Sequence, residues 1–238
     1  MIPATGTATR AVDGGSLVDH ALRRVREHIR LNDLKVGDTL PGEGWFATEL
    51  GVSRAVMREA FGALAALRVI DVANGRRARV AAIDGSVMGA SIDHAVATAQ
   101  VSVAEVWDVR RTLELRTAAL AALHRTQAQA DAIARAADAM AVAGDALDQV
   151  TAHDIRFHQA IAQASGNALF HQVVRSFEPL MTVAVPTAWR TRVTDEQRQD
   201  ILQRHRLIAD AIAQRDPAAA ASAMSEHFIA SVSELFDG

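Results

Sequence analysis

Four polar side chains stand where the helical pattern calls for apolar ones. Asp154 and His158 are one turn apart and share a face with Ile161, while Arg156, Gln159 and Gln163 fall on the opposite side. His205 lies in the line Ile201, His205, Ile208 and Ile212, and His227 sits beside Met224 and Phe228 in line with Leu235. One carboxylate and three imidazoles therefore point inward from three helices. A lone inward histidine is more often a hydrogen-bonded core residue than a ligand. Four convergent groups instead make an N/O ligand set for a divalent transition metal (Zn, Ni, Mn or Fe), with positions left for water or a bidentate acid. The chain has no cysteine, so thiolate sites are excluded. Arg110 follows the apolar line Val106, Leu113, Thr117 and Leu120. Its guanidinium needs a carboxylate, supplied either by an organic acid held bidentately or by Glu114 one turn on.

A second set of cations occupies the front of the chain. Ser53 opens a helix that carries Arg54 and Arg58, and Asn74-Gly75-Arg76-Arg77 joins two short β-leaning runs. Asn-Gly is a strong hairpin-turn signal, so two arginines are expected at the tip of a wing. Arginine can grip a guanine edge or a phosphate; a solvated helix face is the plainer alternative for Arg54 and Arg58. Charge is uneven along the chain. Residues 1–80 carry 12 Lys+Arg against 9 Asp+Glu, and the remainder carries 13 against 19 within a net charge of −3. Chance alone can produce such a split, but a basic end on an acidic body also suits a polyanion-binding domain joined to one with another task.

The elements that must position these groups follow from periodicity and punctuation. The chain's 238 residues exceed what one compact core usually holds, so two domains are expected. Residues 1–15 are rich in Thr, Ala and Gly without periodicity and read as a flexible arm. A winged helix-turn-helix is expected over 16–82: a helix from Leu17, a short helix over Glu43–Leu50 ended by Gly51, a third from Arg54, then strands at 69–72 and 78–81. Residues 83–100 should supply a linker and a short helix. Beyond them, sparse Gly and Pro with abundant Ala predict an antiparallel all-α bundle over 101–236, with helices at 103–124, 127–143, 151–164, 167–185, 195–215 and 217–236. No run reaches the roughly 18 uncharged apolar residues of a membrane span, and a signal-peptide pattern is lacking, which predicts a cytoplasmic protein.

The run Val36-Gly37-Asp38-Thr39-Leu40-Pro41-Gly42-Glu43, followed by Leu50-Gly51-Val52-Ser53-Arg54-Ala55-Val56-Met57-Arg58-Glu59-Ala60, resembles the DNA-binding domain of GntR-family regulators. The resemblance implies that Ser53, Arg54 and Arg58 contact operator DNA, with Asn74, Gly75, Arg76 and Arg77 at the wing. Where many FadR-subfamily members carry a DNA-contacting arginine, this chain has Gly44 followed by Trp45, and Arg76-Arg77 replaces the usual small wing residues. Further on, Asp108-Val109-Arg110-Arg111-Thr112-Leu113-Glu114, Asp154-Ile155-Arg156-Phe157-His158 and Ser165-Gly166-Asn167 resemble the FCD effector domain of that subfamily, and His205 and His227 complete its metal set. The resemblance implies a homodimeric transcriptional regulator on a pseudo-palindromic operator, a repressor released by a small hydroxy, sugar or carboxylic acid, with Arg110 and Asn167 touching the acid and Asp154, His158, His205 and His227 holding the metal. For Asn167 an N-cap is the competing role. Three further readings compete with this one: a metal-independent regulator that binds an acyl thioester or another ligand, a helical metalloenzyme, for which no additional acid/base residue is evident, and a structural dimerisation protein with a vestigial DNA domain.

Overall fold

The computed structural model describes residues 16–73 and 75–236, with side chains to Ser231; the flexible-arm reading of 1–15 and the wing residue Asn74 lie outside them. The chain divides into two compact units, one up to Asp84 and one from Gly85.

In the first unit, α1 (Leu17–Leu31) starts on a capping box in which Ser16 and Asp19 satisfy each other's backbone N–H groups. Helix α2 (Glu43–Leu50) ends at Gly51, whose φ of 64° is the left-handed conformation that stops a helix at low cost. Helix α3 (Arg54–Ala66) begins two residues later, capped by the Ser53 hydroxyl on Val56 N–H. Both α1 and α2 pack on α3 around Ala21, Val25, Phe46, Met57, Phe61 and Leu64. The strands are shorter than expected: β1 (Ile70–Asp71) pairs antiparallel with β2 (Arg79–Val80), and Thr39 bridges to Arg79 from the other side. Only Ile70 of β1 is buried; with one anchoring side chain the ladder extends no further.

The second unit is all helix. Helix α4 (Ser86–Ala97) occupies most of the expected linker and lies on α8 (Ala168–Ser176) and α9 (Glu178–Thr191). Around the core run α5 (Val103–His124), α6 (Gln127–Ala143), α7 (Leu147–Ala164), α10 (Asp195–Ala213) and α11 (Pro217–Phe236). Their apolar faces meet at Phe157, Ile161, Ile208, Ile212, Met224 and Phe228, all fully buried.

Three boundaries of the second unit differ most from the sequence reading. Helix α7 starts at Leu147, one turn before Thr151. The single helix expected over 167–185 is two helices that break at Phe177, and Pro179, which has no N–H to donate, falls in the first turn of the second, where none is needed. Helix α9 then runs past Pro186 to Thr191, bringing Ala188 and Trp189 into the interior.

Candidate nucleic-acid interface and candidate metal centre

On the first unit, Arg54 and Arg58 project from the first turns of α3 into solvent. Arg58 has only a 4.0 Å approach to Glu43. The Arg54 guanidinium lies across Gly44: a Cβ added there would sit 3.8 Å from its terminal nitrogen. The missing side chain at 44 thus leaves an arginine from the next helix over the start of α2. Ser53 is committed to the α3 cap through its hydroxyl. At the wing, Gly75 takes a φ of 71°, which favours glycine, and Arg76 N–H donates to the Ala73 carbonyl to close the turn. Arg76 and Arg77 are both exposed. The described cations of helix and wing are therefore free to neutralise phosphates.

In the second unit the inward polar groups meet. His158 from α7, His205 from α10 and His227 from α11 each offer a nitrogen, and these three atoms lie within 4.8 Å of one another. Asp154 stands beside two of them, its Oδ1 3.2 Å from His205 Nε2 and 4.0 Å from His158 Nε2. All four residues are buried.

The hydrogen bonds fix which nitrogens carry protons. His205 Nδ1 is 2.8 Å from the Ile201 carbonyl, which can only accept, so that nitrogen donates. His158 Nδ1 contacts Glu114 Oε2, a carboxylate oxygen with the same requirement. In the neutral rings both Nε2 atoms are then lone pairs facing the Asp154 carboxylate, acceptor against acceptor. His158 Nε2 and His227 Nδ1 have no hydrogen-bond partner among the described residues. An imidazolium at His205 would satisfy one contact; a cation among the three imidazoles, with Asp154 beside two of them, would satisfy the set. The residues fit a divalent ion on both donor chemistry and orphaned lone pairs.

Electrostatics agree with that geometry. Burial opposes the Asp154 charge, but positive charge on its neighbours, first a proton on His205 Nε2 donated to the carboxylate and then His158, holds the carboxyl below its usual range; in the neutral-ring state a bound cation would take that place. Burial likewise opposes Glu114, and Arg110 with His158 outweighs it. For His227, burial and then the neighbouring His205 and His158 push the imidazole well below its ordinary value, which keeps it a neutral potential ligand.

A cavity of about 40 Å³ adjoins the cluster. Arg110 lines it, held by Nε on Glu114 Oε1, within 5.1 Å of the Trp107 ring centroid and 5.3 Å of that of Phe228. The internal pair weighed against an acid contact is therefore made, while the terminal nitrogen Nη1 reaches only the weak acceptor Met181 Sδ. Asn167 is different. It is exposed, does not line the cavity, and its amide oxygen accepts from Leu169 and Phe170 N–H at the start of α8. The cap, the competing role, accounts for this amide oxygen.

Sequence reasoning missed Arg192, Trp107 and Trp189, which also line the cavity. Arg192 is buried at the end of α9, within 6.0 Å of the Trp189 ring centroid. Both indole N–H groups are buried without an acceptor among the described residues. A helix ended at Val185 hides Trp189 and Arg192; tryptophan at an inward helical position was the available signal for Trp107.

Comparison with known proteins matches residues 17–80 to the bacterial regulatory proteins of the gntR family and residues 105–230 to the FCD domain. The chain is 32% identical over 200 residues to the Glc operon transcriptional activator of Escherichia coli K12, covering 82% of this chain and 79% of the relative. It is 29% identical over 232 residues to the HTH-type transcriptional repressor NanR of Citrobacter rodentium, covering 91% and 88%. Among solved structures, Streptococcus agalactiae GntR superposes with a TM-score of 0.64 at 24% identity over 90% of this chain and 97% of that one, a likeness of fold. With a basic helix-and-wing face in one unit and an inward cluster of histidines in the other, the chain belongs to the GntR family: it is a DNA-binding transcriptional regulator of the FadR subfamily, a winged helix-turn-helix followed by an FCD domain.

Proposed function

We propose that this regulator holds a divalent transition metal at Asp154, His158, His205 and His227 and binds a compact organic acid beside it, and that the acid changes its affinity for operator DNA. The observation that carries the reading is the convergence of three buried imidazoles, with His158 Nε2 and His227 Nδ1 lacking a hydrogen-bond partner among the described residues, at a cavity that Arg110 and Arg192 also line. Bound there, the ion supplies a Lewis-acid anchor for a carboxylate or hydroxyl oxygen. Arg110 offers its terminal nitrogens to the same anion, and the buried indole N–H groups are unused donors that further oxygens can satisfy.

Size selects within the class. A cavity of about 40 Å³ is small for a ligand site, which favours short hydroxy or keto acids over an acyl thioester. On the DNA side, Ser53, Arg54, Arg58, Gly75, Arg76 and Arg77 form the contact surface. A homodimer brings two such surfaces to successive major-groove faces of a pseudo-palindromic operator. The relatives include one named an activator and one named a repressor. We assign release on acid binding, the repressor sense.

The test is a thermal-shift screen of short hydroxy, keto and dicarboxylic acids with and without chelator, followed by operator binding with each hit. A ligand of the folded state raises apparent stability by linkage. The expected hit needs metal, disappears in Arg110→Ala and His205→Ala, and weakens operator binding. Acid binding that survives both substitutions and the chelator overturns the site.

A further inference from the structure

Glu114 lies one helical turn from Arg110 and is fully buried, and each of its oxygens has one partner: Oε1 accepts from Arg110 Nε and Oε2 from His158 Nδ1. It meets His158 at Nδ1, the ring nitrogen opposite the one that approaches Asp154, and so stands behind that imidazole rather than among the three that converge. We propose that Glu114 is the positioning residue of the pocket, selecting the His158 tautomer that turns the Nε2 lone pair to the metal position and holding the Arg110 guanidinium beside that ion. This inference rests on the metal reading above and adds the residue that makes its two halves compatible.

Two physical requirements meet at this carboxylate. An imidazole has one lone pair to give, and which nitrogen gives it depends on the hydrogen bond at the other. Without an acceptor at Nδ1, the His158 proton can move to Nε2, where Asp154 Oδ1 lies 4.0 Å away, and the ligand atom becomes a donor. The second requirement is charge. A guanidinium and a divalent cation in one low-dielectric cavity repel, and an interposed carboxylate offsets that repulsion. His205 shows the contrast: its Nδ1 is fixed by the Ile201 carbonyl of its own helix, so its tautomer needs no second element. His158 depends on a group from another helix, and that group also holds the anion-binding arginine.

The experiment compares the full-length protein with Glu114→Gln. In chelator-stripped wild type, long-range ¹H–¹⁵N correlation of the imidazole nitrogens should find His158 with its proton on Nδ1; in Glu114→Gln the amide can donate to Nδ1 and should shift the proton toward Nε2. Zn²⁺ affinity, read by competition with a chelating dye, should fall about 10–100-fold, the usual cost of removing such an orienting partner. Should Glu114→Gln fail to fold because Arg110 is left uncompensated, Arg110→Met/Glu114→Gln removes both charges. Losing the guanidinium alone would strengthen cation binding, so a 10–100-fold loss in the double variant is assignable to Glu114. A wild-type His158 protonated on Nε2, or undiminished Zn²⁺ affinity in the folded variant, overturns the inference. Failure of wild type to bind Zn²⁺ at all overturns instead the metal reading beneath it.

Discussion

Among the described residues of the first unit, the buried set from Ala21 and Val25 to Ile70 and Ala78 is entirely apolar, and Arg54, Arg58, Arg76 and Arg77 lie at the surface. The second unit takes Arg110, Glu114, Asp154, His158, His205 and His227 inside. The contrast follows from the partners. A duplex approaches from solvent and needs cations it can reach, whereas a small ion and a small acid must be enclosed, so the groups that bind them carry the cost of burial. One unit keeps its charges out and derives its stability from packing; the other spends part of its core on a site.

This comparison is sharpest where a carboxylate is deleted from each unit. Glu114→Ala leaves Arg110 buried and uncompensated and should cost about 3–5 kcal/mol in urea unfolding, whereas Glu43→Ala, beside the exposed Arg58, should cost less than about 1 kcal/mol. Equal costs would erase the distinction. His205→Ala should reduce Zn²⁺ affinity by on the order of 100-fold or more, beyond the usual effect of an outer partner, while leaving operator affinity of the metal-free protein unchanged. The mirror experiment is Arg54→Ala, expected to weaken operator binding by about 1–3 kcal/mol in fluorescence anisotropy with no change in Zn²⁺ affinity. If Arg54 holds a phosphate, the slope of log affinity against log salt also falls by about 1. The smallest effect belongs to Asn167→Ala: loss of the α8 cap should cost ~1 kcal/mol in thermal unfolding and leave the acid response intact. A lost acid response would return Asn167 to the pocket.

Periodicity made most of this organisation legible. Helices α5, α6 and α11 begin and end where the pattern places them, because Ser102 and Thr126 cap two of them and Pro217 opens the third. The inward lines that single out Asp154, His158, His205 and His227 are i, i+3 and i+4 relations within single helices, which a sequence displays directly. What stayed hidden depends on contacts across helices or on backbone breaks. Glu114 enters the sequence as a neighbour of Arg110, and its bond to His158, 44 positions away, has no local signal. The restart at Pro179 and the continuation past Pro186 decide that Trp189 and Arg192 reach the cavity, since a proline can equally end, begin or interrupt a helix. Asn167 carries two valid local roles, and only the direction of its amide separates them.

The most direct test of the claim that the second unit's buried charges form a binding site is calorimetric titration of Zn²⁺ into chelator-stripped, tag-free protein. One ion should bind tightly per chain, with binding lost in His205→Ala. Binding of no ion by a folded wild-type chain, or equal binding by wild type and His205→Ala, would contradict it.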